Sequence, residues 1–185
     1  MKTLVKTTLL LACSLILISG SCKKEKTGID ALPAPTTEGK NILGCLINGN
    51  AFVAQTYTFG VSAVQCEYGY IDADITKGHF FQLRGSNNKS DPGKTASIVI
   101  LTNKIDIQEG VTYQFQEQKD GSVFAQYSKS STGTSDTYSS LIGELKITKF
   151  DEANKIASGT FWFNAENDKG EKVEVKEGRF DARIL

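Results

Sequence analysis

Few side chains in this 185-residue chain have the type and spacing that catalysis requires. The only histidine, His79, lies in a run of β-forming residues. Acyl-transfer catalysis by Ser, His and Asp needs that histidine as its base, and the sequence has no Gly-x-Ser-x-Gly turn to present a nucleophile. A catalytic zinc site usually takes two or three histidines. We therefore expect a structural role for His79, no catalytic residue and no cofactor.

Two acids and one tryptophan are the other candidates. Asp72 and Asp74 alternate with apolar residues in YIDADI, so as a strand they would share one face. Such a pair suits either a hard cation or the wet face of a sheet, and we predict no metal. Trp162 alternates with two phenylalanines in GTFWFNA, which places it opposite a core face. It would contact a ligand, such as a sugar, or lie under a neighbouring segment.

The first residues have the three parts of a secretory signal, which are a positive start, an apolar run and small residues. Lys2 and Lys6 precede an apolar run that continues to Ile18. Its uninterrupted stretch from Leu9 is shorter than the roughly 17–25 residues that span a bilayer. Residues 1–21 are therefore predicted to be a removable signal peptide.

The cysteine that follows this signal resembles the lipidation site of bacterial lipoproteins. Cys22 comes directly after Ser-Gly-Ser and before KKEK. Cys13 fits the strict lipidation pattern better, but cleavage there would leave SLILI on the mature chain. We therefore predict lipidation at Cys22, with two or three acyl chains such as palmitate. Each buried methylene contributes about 0.8 kcal/mol, so the anchor would be firm.

The resemblance implies a location in the cell envelope. Lys23 stands where a common inner-membrane retention signal has Asp, which favours the outer membrane, on either its periplasmic or its cell-surface face. Removing residues 1–21 takes away two lysines and no acid, so 19 of the 21 basic side chains remain against 21 acidic ones. That balance predicts no nucleic-acid partner. Cys45 and Cys66 would then either form a disulfide or remain two buried thiols.

The rest of the chain has the pattern of an all-β domain. Residues 22–40, which contain two of the three prolines, predict a flexible tether, and residues 41–185 predict one antiparallel sandwich or barrel. Asn48-Gly49 and the segment 167–170 are hairpin turn signals, and SIVILTN is typical of a central strand. The polar segment 128–140 predicts a loop.

Two segments together resemble a family of uncharacterised Bacteroidetes lipoproteins. Residues 32–52, LPAPTTEGKNILGCLINGNAF, are similar to its opening, and residues 157–181 are similar to its Gly-Thr-Phe-x-Phe hairpin and final Gly-Arg-Phe strand. The chain departs from the family at Pro35 and at Ile42-Leu43. The resemblance implies an envelope lipoprotein with a β domain and supplies no catalytic residue.

Three functions are compatible with this pattern. The first is a non-enzymatic binding or interaction module that is held at the membrane by lipid and has a protein or glycan partner. The second is a lipocalin-like carrier of a small apolar or sugar ligand, which would need an interior cavity. The third is a hydrolase that uses carboxylates alone, which would need two facing acids, one with a raised pKa.

Overall fold

A computed structural model describes residues 26–89 and 93–185, and the predicted signal peptide and Cys22 lie outside the described residues. The described chain is all-β, as predicted. Within it, no helix has the length and hydropathy that crossing a bilayer requires. The strands are β1 Ile42–Ile47, β2 Asn50–Val53, β3 Val64–Tyr70, β4 His79–Asn87, β5 Lys94–Asn103, β6 Thr112–Gln114, β7 Ser122–Ser131, β8 Thr134–Asp151, β9 Ile156–Glu166 and β10 Lys172–Arg183.

These strands form one antiparallel sheet that curls into a half-barrel. The order is β2-β1-β10-β9-β8-β7-β5-β4-β3, and β6 pairs with the second half of β8. The two ends of this order approach each other, because Gln55 forms a bridge to Asn87 and Cys66 forms a bridge to Ile184. The sequence predicted either a sandwich or a barrel, and the structure is a single sheet curled into a half-barrel.

Strand irregularities accompany the curl. β8 has one extra residue relative to β9 at Leu141 and another at Thr148. β10 has one extra residue relative to β9 between Val175 and Gly178, and one relative to β1 between Lys176 and Arg179. Such bulges bend a strand and increase its twist, which a sheet must do to close on itself.

The inner face of the curled sheet is packed with apolar side chains. Alternate residues of the strands point inward, and the aromatic rings of Phe115 and Phe163 meet edge to face at 5.8 Å. Burial of one such side chain contributes roughly 1.5–3 kcal/mol. The buried cluster comprises Leu43, Cys45, Phe52, Val64, Cys66, Phe81, Leu83, Ile98, Ile100, Ile107, Phe115, Val123, Ala125, Tyr138, Leu145, Ile147, Ala157, Phe161, Phe163, Ala165, Val173, Val175, Phe180, Ala182 and Ile184.

Local predictions have mixed outcomes. The two hairpins are confirmed, with Asn48 and Gly49 at φ 47° and 80° in the first turn. The strand SIVILTN lies inside β5, paired on both sides, as expected of a central strand. The predicted loop 128–140 is wrong, because it forms the hairpin between β7 and β8. Its polar side chains suit that hairpin, whose residues are largely exposed.

The segment before β1 is bound to the sheet, in contrast to the flexible tether predicted up to residue 40. Leu32 is buried. Pro33 packs so closely on Gly44 that a Cβ added at Gly44 would lie 2.6 Å from the Pro33 Cδ. Further along, the buried carboxylate of Asp181 holds the segment by accepting four hydrogen bonds from it. The donors are the Thr36 hydroxyl (2.6 Å) and the backbone amides of Glu38 (3.0 Å), Gly39 (2.7 Å) and Lys40 (3.1 Å). A fifth hydrogen bond comes from the Ser158 hydroxyl of β9 (2.8 Å).

Candidate functional site

The outer face of β8, β9 and β10 has a groove of about 650 Å³ with Trp162 in its wall. Phe161 and Phe163 point into the core, so strict alternation turns Trp162 outward, as the sequence predicted. Trp162 is 37% exposed. The groove is lined by Pro35, Thr112, Glu144, Lys146, Thr160, Phe161, Trp162, Lys176, Glu177, Gly178 and Arg179.

The β10 bulge shapes one side of this groove. Val175 pairs with Phe163 and Gly178 pairs with Phe161, so Lys176 and Glu177 stand together opposite Trp162. Glu177 has a φ of 54°, the left-handed conformation in which one bulge residue can be accommodated. A Cβ at Gly178 would lie 2.5 Å from the Phe161 ring, so glycine allows the strand to approach this closely.

Charged groups surround the indole. The Trp162 Nε1–H donates to Glu144 Oε2 at 3.4 Å, and the Gln114 amide donates to Glu144 Oε1 at 3.0 Å. These bonds, first that from Gln114 and then that from Trp162, hold the pKa of Glu144 below its usual range. Arg179 pairs with Glu177 at 3.5 Å. The groove therefore combines an aromatic face with an ionised acceptor and several cationic donors.

The lowered pKa of Glu144 keeps this carboxylate ionised at neutral pH. A general acid at neutral pH needs a raised pKa, whereas Glu144 has a lowered one. Among the described residues, every carboxyl group whose pKa is shifted has it lowered, namely Asp74, Asp120, Asp136, Glu144, Asp151, Glu171 and Asp181. An ionised carboxylate beside an aromatic face can instead accept hydrogen bonds from ligand hydroxyls.

A family profile described as a domain of unknown function, DUF6252, matches residues 69–182, which is more than half of the chain. The chain belongs to the DUF6252 family. No curated protein and no solved structure matches it. The DUF6252 match includes every residue lining the groove except Pro35, and it includes the closing hairpin whose resemblance was noted above. The opening segment 32–52 lies before the matched residues.

The two cysteines of this DUF6252 protein lie away from the groove. Cys45 in β1 and Cys66 in β3 are free and fully buried, the second of the two arrangements that the sequence allowed. Burial raises the pKa of both thiols to about 12, and the charge of Glu67 adds to the effect at Cys66. Because the thiolate is the reactive form, both groups are inert at neutral pH.

His79 belongs to an aromatic cluster that sequence reasoning missed. Its ring stacks on Tyr68 at 5.0 Å and on Tyr70 at 4.2 Å, and its Nδ1 pairs with Asp106. Burial, and next the nearby charge of Asp106, raises the pKa of Tyr68 to about 12. The sequence shows tyrosines at alternate positions of one strand, Tyr68 and Tyr70. It does not show the strand register, which places His79 opposite Tyr70.

The two predicted acids do not share a strand face. β3 ends at Tyr70, and 3₁₀ turns at Ile71–Ala73 and Ile75–Lys77 follow. Asp72 pairs with Lys77 at 2.9 Å, while Asp74 caps the second turn by accepting from the Thr76 amide at 2.9 Å. In the described parts of the chain, no group of three His, Cys, Asp or Glu side chains could hold a metal ion.

Proposed function

We propose that this protein is a cell-envelope lipoprotein, tethered through Cys22 to the outer membrane, whose β domain is a non-enzymatic module that binds glycans. The observation that carries the proposal is the position of the groove. Open ligand space lies on the outside of the sheet beside Trp162, while the inside is filled by buried side chains.

The packed interior favours this module over a lipocalin-like carrier. A carrier needs the inside of its sheet for the ligand, and there the rings of Phe81, Phe115, Phe163 and Phe180 occupy the space between strands. The lowered carboxyl pKa values likewise favour binding over a carboxylate-based hydrolase, which needs one acid that stays protonated.

A glycan is the ligand class that this groove chemistry suits. The apolar face of a pyranose ring stacks on an indole, and its hydroxyls need acceptors and donors around the rim. Glu144 supplies an acceptor, Thr160 and Thr112 supply hydroxyls, and Lys146 and Lys176 supply ammonium donors. Cations and anions are mixed along this rim, so no single charge dominates the choice of ligand.

Intrinsic fluorescence can test glycan binding directly, because Trp162 is the only tryptophan in the chain. We expect its emission to change on titration with at least one of maltohexaose, cellohexaose and soluble peptidoglycan fragments. Calorimetry should show affinity falling about tenfold in Trp162→Ala, since an aromatic contact is worth up to about 1.5 kcal/mol. Tyr70→Ala, which removes an exposed aromatic outside the groove, is the control. Unchanged emission with all three probes would refute glycan binding.

The anchor has a separate test. Protein purified from membranes of its own host should have the intact mass of a chain beginning at Cys22 with acyl groups attached. A Cys22→Ala variant should lack that mass. An unmodified chain in the first preparation would refute the lipoprotein proposal.

A further inference from the structure

The loop between β2 and β3, residues 54–63, exposes three large apolar side chains in five positions. Tyr57 is 70% exposed, Phe59 is fully exposed and Val61 is 52% exposed. Single exposed apolar residues are normal, but a cluster at a loop tip marks a contact surface. The backbone holds the loop by its base, where the Gln55 amide donates to the Ser86 carbonyl at 2.9 Å.

The segment that leads to the predicted anchor passes beside the strand from which this loop begins. The 3₁₀ turn Gly28–Ala31 lies against β1 and β2. Pro33 packs over Gly44, at a point where the Phe52 carbonyl is also close. Since β2 ends at Val53, the loop begins two residues after Phe52.

Because residues 32–40 are bound to the sheet, the stretch of chain between Cys22 and the domain is shorter than the tether that the sequence predicted. A tether reaching residue 40 would span up to about 60 Å from Cys22 at about 3.5 Å per residue. The six steps along the chain from Cys22 to Gly28 span at most about 20 Å. This limit keeps the Gly28–Ala31 turn, and β2 beside it, near any bilayer that holds Cys22.

Lysines precede the bound segment in the sequence, and one more follows the residue that holds the loop. Lys23, Lys24 and Lys26 precede the bound segment in the sequence. Lys89 is exposed and follows Asn88, whose side-chain oxygen accepts from the Tyr57 amide at 3.4 Å. Aromatic and apolar side chains beside lysines suit the headgroup region of an anionic bilayer.

We infer that the loop 54–63 inserts Tyr57, Phe59 and Val61 into the surface of an anionic lipid bilayer, so that the domain lies on the membrane. This inference rests on the proposed lipidation of Cys22. The loop is a second membrane contact, and it fixes the orientation in which the Trp162 groove is presented.

An introduced indole can measure the contact in the lipidated protein. In a Trp162→Phe background, Phe59→Trp places the only indole at the loop tip. Ile75→Trp is the matched control, because Ile75 is 70% exposed and lies at the opposite end of β3. Each protein is reconstituted in vesicles of phosphatidylethanolamine and phosphatidylglycerol, with and without bromine on the acyl chains.

We expect blue-shifted emission and loss of intensity with brominated lipid for Phe59→Trp, and neither for Ile75→Trp. Equal behaviour of the two indoles, in protein whose mass includes the acyl groups, would overturn the membrane contact and leave the proposed lipoprotein intact. A mass without acyl groups would overturn the anchor itself. Shielding of the Phe59→Trp indole before vesicles are added, increasing with protein concentration, would assign the loop to a second copy and overturn the inference.

Discussion

Replacing Asp181 should release the segment before β1 and destabilise the whole domain. This carboxylate is fully buried and accepts five hydrogen bonds, three of them from consecutive amides of Glu38, Gly39 and Lys40. Asp181→Asn replaces one acceptor oxygen with an NH₂ donor that would face those N–H donors. A buried donor left without a partner costs about 1–3 kcal/mol, so we expect a loss of about 3 kcal/mol at neutral pH.

The pH dependence of the unfolding free energy is a second measure of how strongly Asp181 stabilises the domain. Burial raises the pKa of Asp181, but the hydrogen bonds from Thr36 and the three amides outweigh it and hold the pKa at about 2. The ordinary value is 3.8, so the folded state binds this proton at lower pH than the unfolded chain. The resulting stabilisation, about 2 kcal/mol, is present above about pH 4 and is lost as the pH falls toward 2.

Urea unfolding of the wild-type chain and of Asp181→Asn, from about pH 6 to about pH 2, measures both quantities. The difference in unfolding free energy should shrink as the pH falls below 4. Asp168→Asn, at an exposed acid in the β9–β10 turn, is the control. Amide hydrogen exchange should show protection at residues 38–40 in the wild-type chain and its loss in Asp181→Asn. Unprotected amides in the wild type, or equal stability of the two chains at every pH, would refute the reasoning.

Three further predictions concern the boundary, the thiols and the bulge. A chain beginning at residue 41 should have an unfolding free energy lower by about 3 kcal/mol or more than one beginning at residue 26. It loses the buried Leu32 and the segment's hydrogen-bond donors to Asp181. Equal urea midpoints of the two chains would contradict the binding of this segment to the sheet. Cys45 and Cys66 should resist a thiol reagent in the folded chain and react fully in urea, and a mass lower by a pair of hydrogens would show a disulfide instead. Gly178→Ala should cost about 1–3 kcal/mol in thermal or urea unfolding, because its Cβ would overlap Phe161. Gly69→Ala, whose Cβ meets only an ordinary contact at 3.7 Å, should cost far less, and equal losses would contradict the steric argument.

Much of the fold could be predicted from the sequence, because strands and turns report their own local chemistry. Alternation placed Trp162 opposite Phe161 and Phe163, and Asn48-Gly49 marked a turn in which both residues adopt positive φ. The prediction was wrong where composition was used in place of pattern. The polar composition of residues 128–140 predicts a loop, yet a polar hairpin can pair through its backbone alone.

The groove could be predicted only in part. Trp162 was a candidate because of its type and its face. Its surroundings were not visible, because Thr112, Glu144 and Lys176 reach it from three other strands. Their meeting depends on which strands are neighbours and on the extra residue in β10, and neither leaves a local mark in the sequence.

The sequence by itself determined that this chain is a β protein, because period-two alternation and turn residues are local properties. Only the tertiary structure decided that residues 32–40 belong to the domain. Asp181 lies more than 140 residues from Gly39 along the chain, and their contact exists because strand pairing brings β10 beside the segment before β1. A buried carboxylate can hold a distant segment only where the fold excludes water and points several N–H and O–H donors at it. No local sequence pattern encodes that arrangement.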